Sequence, residues 1–86
     1  MRVKLRGVRQ ISITGDFIRL DSLLKYASLA STGGEAKILI QNGGVYVDGV
    51  LCQLRGKKIK PGETVRAGGS VLLVRRANGI PENRKW

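Results

Sequence analysis

The sequence predicts an α+β fold in which two adjacent helices pack on a small, mainly antiparallel sheet. Three observations carry that expectation. A helix with both ends written in its residues begins at Gly33. A second apolar stretch of helical period stands just before it, across a short link. Apolar segments then alternate about two turn dipeptides, Asp48-Gly49 and Gly68-Gly69. Strand, two helices, then strands is an α+β order, and 86 residues suffice for a single domain, 1–86.

The helix at about 33–42 is the most fully specified element. Thr32 is a good N-cap, and Glu35 three residues later completes the capping-box pattern. Ala36, Leu39 and Ile40 recur on one face, Lys37 and Gln41 share a polar strip, and Gly43 can take the left-handed conformation that stops a helix. Gly33 and Gly34 fill the first two helical positions, at a cost of about 1 kcal/mol each against Ala. They leave N–H groups that no Cβ covers, at the end where the helix dipole attracts phosphate. The other reading is that both glycines only serve a tight turn between helices.

The preceding elements follow in order. Residues 1–10 carry Arg2, Lys4, Arg6 and Arg9 with apolar residues between them. They read as a basic arm that orders on nucleic acid, with an edge strand as the alternative. Ile11 to Thr14 alternates as a strand, Gly15-Asp16 is a turn, and Phe17 to Leu20 can form a second short strand. Asp21 is expected to cap a helix from Ser22 to about Ala30, with Leu20, Leu23, Leu24 and Ala27 inward. Lys25 projects elsewhere, as a contact residue or a solvated lysine.

After the helices, Val45 to Cys52 reads as a hairpin with Val45 and Val47 on the core face and Tyr46 on the other. Tyr46 can offer its ring to a base or be an ordinary strand tyrosine. Cys52, with no base beside it, is a structural or incidental thiol. Arg55-Gly56-Lys57-Lys58-Ile59-Lys60 is the densest basic run and reads as a loop. Strands at 64–67 and 70–74 complete the sheet, Arg75 and Arg76 follow the last strand, and 77–86, with Trp86, is a tail.

Charge narrows the function. Sixteen Lys and Arg against six Asp and Glu give a formal +10, an excess that favours a polyanion, nucleic acid first. With four aromatic residues, base stacking can contribute to recognition but not dominate it. One cysteine and no histidine exclude an internal disulfide and leave no zinc set, so no metal or cofactor is expected. The basic start lacks the apolar run of a signal peptide, and no stretch has the length of a membrane span, so a cytoplasmic protein with no membrane partner is expected.

The segment from Leu20 to Val65 resembles the RNA-binding domain named after small-subunit ribosomal protein S-four, the αL motif. The residues that carry the likeness are Arg19-Leu20-Asp21 with Leu23-Leu24, then Glu35-Ala36-Lys37 to Leu39-Ile40, then Gly43 to Gly49, and finally Lys60-Pro61-Gly62-Glu63. Leu24-Lys25, Ser31 to Lys37 and Arg55 to Ile59 are similar to small stand-alone bacterial members of the YaaA and YbcJ type. The family-like core is about 17–76.

The resemblance implies an αL-type fold and non-enzymatic binding of structured RNA, ribosomal or transfer RNA, by a ribosome-associated monomer. It implies a surface from the helix pair and the following basic loop. The residues expected there are Lys25, Thr32, Gly33, Gly34, Lys37, Gln41, Tyr46, Arg55, Lys57, Lys58 and Lys60. The family commonly has an arginine at the start of the second helix, where this chain has Gly33, so contact should lean on Lys37 and the 55–60 loop. The competing reading is a protein-interaction or ribosome-assembly adaptor whose charge only aids docking. An RNA-modifying enzyme would need a base or nucleophile that no motif here supplies.

Overall fold

The structure, a computed structural model, describes residues 8–77. In chain order its elements are β1 (Val8–Ile13), β2 (Ile18–Arg19), α1 (Leu20–Tyr26), α2 (Gly33–Gln41), β3 (Val45–Val47), β4 (Val50–Leu51), β5 (Lys58–Ile59), β6 (Thr64–Ala67) and β7 (Ser70–Arg76). Five strands form one sheet in the order β1-β7-β6-β3-β4, while β2 and β5 form a separate ribbon. The β3–β4, β3–β6 and β6–β7 pairs are antiparallel, and β1 adds to the edge parallel to β7. The expected α+β architecture is therefore present.

Strand alternation puts Ile11, Ile13, Val45, Val47, Val65, Ala67, Leu72 and Val74 on one sheet face, all buried. The helices cover that face with Leu20, Leu23, Leu24, Ala27, Ala36 and Ile40, each fully out of solvent. Both hairpins turn where expected. Asp48 and Gly49 have φ of 50° and 84°, and Gly68 and Gly69 have 58° and 81°, the left-handed pairs that match the twist of two-residue hairpins. Asp48 is pinned further, because its carboxylate accepts from the Thr64 N–H at 2.8 Å.

Four expectations are corrected. Val8, Arg9 and Gln10, assigned to the basic arm, pair with Val71, Leu72 and Leu73 in β1. Long-range pairing decides this, since those residues alternate too weakly to announce a strand. Asp21 is not an N-cap, because α1 already starts at Leu20, and the helix stops at Tyr26, not near Ala30. Part of the basic run is not loop but β5, paired with β2. Arg75 and Arg76 lie inside β7 rather than after it. The rest of the arm, 1–7, and the tail from 78, including Trp86, lie outside the described residues.

Helix α1 stops early through backbone bonding. Ser28 takes φ 63°, and the N–H groups of Ser28 and Leu29 return to the carbonyls of Lys25 and Leu24 at 3.0 and 2.9 Å. That is a Schellman motif with serine in the position glycine usually fills. Arg9 donates to the Ala27 carbonyl at 2.7 Å, so a residue expected in the arm holds the end of this helix.

Candidate nucleic-acid interface

The basic run is anchored on the start of α1. The Leu20 and Asp21 N–H groups, unpaired within the helix, donate to the carbonyls of Lys57 and Arg55 at 2.8 and 3.0 Å. Asp21 has a side chain 9% exposed, and it gathers two guanidinium groups. Arg19 meets it through two N–H groups at 3.2 and 3.1 Å, and Arg55 through Nε at 3.3 Å. The Ser22 N–H adds a bond of 2.8 Å to Oδ1. Burial pushes the Asp21 carboxyl up, but the Ser22 N–H and the Arg19 charge, with the bonds from Arg19 and Arg55, outweigh it and hold the group below its ordinary 3.8.

Arginines and lysines divide the work. Every arginine among the described residues has a partner: Arg9 a helix-end carbonyl, Arg19 and Arg55 the Asp21 carboxylate, Arg66 the Tyr46 ring, Arg75 the Gln10 amide and Arg76 the Asp16 carboxylate. The five described lysines, Lys25, Lys37, Lys57, Lys58 and Lys60, are all exposed, and none forms an ion pair among the described residues. Planar guanidinium groups suit fixed bidentate contacts, whereas ammonium groups on flexible stems remain available as point charges for phosphate.

The start of α2 is built as the sequence reads. Thr32 Oγ1 accepts from the Glu35 N–H at 3.1 Å, and Glu35 Oε1 accepts from the Ser31 N–H at 2.7 Å, one residue before the usual partner. Neither Gly33 nor Gly34 has a positive φ. A Cβ at Gly33 would meet nothing within 4 Å, and one at Gly34 only Thr32 Oγ1 at 3.7 Å. Neither glycine is thus demanded by a tight turn, and both leave the helix end uncovered.

A model of the S4 domain matches residues 11–75 of this chain. The chain belongs to the S4 domain family. It is 34% identical over 67 residues to the small ribosomal subunit protein uS4 of Sphingopyxis alaskensis. It is 31% identical over 67 residues to the protein of the same name from Novosphingobium aromaticivorans. Each alignment takes in 74% of this chain and 33% of the relative, so the chain spans about a third of the length of these curated relatives.

Within this S4 domain the expected contact residues fall into two groups. Thr32 caps α2, Gly33, Gly34 and Lys37 lie within its first five residues, and Lys25 is on α1. Arg55, Lys57, Lys58 and Lys60 lie on the loop and ribbon held by the start of α1. Gln53 Nε2 donates to the Gln41 carbonyl at 2.9 Å, which ties the loop to the end of α2 opposite Gly33, about 12 Å along the axis. Tyr46 is half-buried, with the Arg66 guanidinium 5.3 Å from its ring centroid.

Two kinds of residue escaped sequence reasoning. Asp21 organises the basic loop, and the only signal was its place between Arg19 and a run of leucines. Phe17 and Tyr26 are the exposed aromatic residues among those described, at 43% and 62%, and nothing local distinguishes them from core aromatics. Among the described residues, no three His, Cys, Asp or Glu side chains stand together to hold a metal, and no helix is long and apolar enough to cross a membrane.

Proposed function

We propose that this S4 domain is a non-enzymatic RNA-binding protein, a cytoplasmic monomer that contacts structured ribosomal or transfer RNA through the helix pair and the 55–60 segment that holds β5. The observation that carries the reading is the set of exposed lysines with no ion-pair partner among the described residues, on a chain of net charge +10, two of them on the helices and three in or beside β5. The relatives' printed name, a small ribosomal subunit protein, supports ribosomal RNA as the first substrate to try. Phosphate contacts of this kind position a protein on folded RNA, whose A-form helix is read by shape and 2′-hydroxyls more than by base edges.

The test is titration of a folded ribosomal RNA fragment across a range of salt. Contact with about 4–6 phosphates gives a slope of log K against log salt near −3 to −5, at a coefficient of roughly 0.7–0.9 per contact. Reversing charge at Lys37 and Lys58 together should weaken binding by about 1–3 kcal/mol. The same charge reversal at Arg75 and Arg76 should weaken it less. Equal losses would reject the assigned surface. An affinity indifferent to salt would remove the basic-surface argument, and no binding of the RNA at about 0.15 M salt would leave the adaptor reading standing.

A further inference from the structure

Phe17 and Tyr26, which the lysine surface does not use, line one groove between the end of β1 and α1, together with Ser12, Ile13, Ile18 and Ser22. A single exposed aromatic residue is ordinary on a protein surface. Here two share a groove, and the Lys58 ammonium stands 4.9 Å from the Phe17 ring centroid. The ribbon sets this approach, since Arg19 pairs with Lys58 and Ile18 with Ile59. Tyr26 is the last residue of α1, and its hydroxyl lies 3.5 Å from the Ser12 carbonyl oxygen. Ser22, four residues earlier on the same helix face, brings a hydroxyl to the groove that bonds no other described residue.

An aromatic face beside a cation matches the two halves of a nucleotide. The ring stacks on a base of any identity, and the ammonium meets its phosphate. A second copy of this chain is a poor occupant, because it carries the same +10. We infer that this groove takes one unpaired base of the bound RNA, stacked against Phe17 and Tyr26, with the adjoining phosphate on Lys58. The inference rests on the RNA-binding reading and adds a preference for RNA that presents a single-stranded nucleotide.

Two probes test it, a hairpin RNA with a single-stranded loop and a blunt, fully paired RNA of equal length. Phe17→Ala and Tyr26→Ala should each weaken hairpin binding about 5- to 100-fold and leave duplex binding within about twofold. The salt slope should not change, because no phosphate contact is removed. Tyr26→Phe, which keeps the ring, should retain the affinity of the parent, and thermal unfolding would establish that each variant is folded. Folded alanine variants with unchanged hairpin affinity would overturn the inference, as would equal losses on both RNAs. A parent protein that binds neither RNA would overturn the RNA-binding reading itself, a distinct result.

Discussion

Helices α1 and α2 finish alike and start differently. Both end in a Schellman motif, with Ser28 in the left-handed position after α1 and Gly43, at φ 85°, after α2. At their starts they diverge. Helix α2 satisfies its first N–H groups with its own neighbours, Thr32 and Glu35. Helix α1 is preceded by Arg19, whose side chain makes no cap, and its first N–H groups bond carbonyls more than thirty residues away, at Arg55 and Lys57. One helix is locally complete, and the other is completed by the basic segment it in turn holds. Stability at α1 and the position of the lysines on the ribbon are therefore linked.

The largest effect should come from breaking that link. Asp21→Ala removes the carboxylate that joins Arg19 and Arg55 to the start of α1. It should cost about 2–3 kcal/mol in urea unfolding, below the range for a wholly buried pair because both arginines are half in solvent. The same group sets an acid limit. A carboxyl held below its ordinary value stabilises the fold fully above about pH 4, the unfolded value, and that stability is lost as pH falls through the folded value. Asp21→Asn should flatten the acid limb of the stability curve, and an unchanged limb would place the acid sensitivity elsewhere.

Locally specified ends should cost less when altered. Gly43→Ala has room, with only Leu51 Cδ1 at 4.0 Å from the new Cβ, so its cost of roughly 1 kcal/mol is the left-handed strain alone. Thr32→Ala should cost about 1 kcal/mol, and Thr32→Ser much less, since serine keeps the acceptor. The smallest effect has the opposite sign. Ser28→Gly should stabilise by about 0.5–1 kcal/mol, because glycine takes φ 63° without steric cost. A loss at Ser28→Gly together with a loss at Gly43→Ala would show that the two helix ends are not equivalent.

The candidate site divides in the same way. Exposed lysines were legible as charge, and their exposure follows from ordinary amphipathic placement on helix and ribbon. That the arginines would be engaged was not legible, because each partner lies elsewhere in the fold: Arg9 meets Ala27, and Arg75 meets Gln10. Tyr46 is half-buried beside Arg66, its cross-strand neighbour, whereas Phe17 and Tyr26 were not singled out and are exposed.

By itself the sequence determined the fold class, the limits of α2, both hairpin turns and the inward faces of helices and strands. All of these depend on residues within a few positions of one another, through capping, side-chain periodicity and the left-handed backbone of Asp48-Gly49 and Gly68-Gly69. Tertiary structure decided the parallel β1–β7 edge, the β2–β5 ribbon, both ends of α1 and the role of Asp21. Each of these is a bond between segments far apart in the chain or, at Ser28, a strained backbone angle held by its surroundings, and no local pattern encodes the partner.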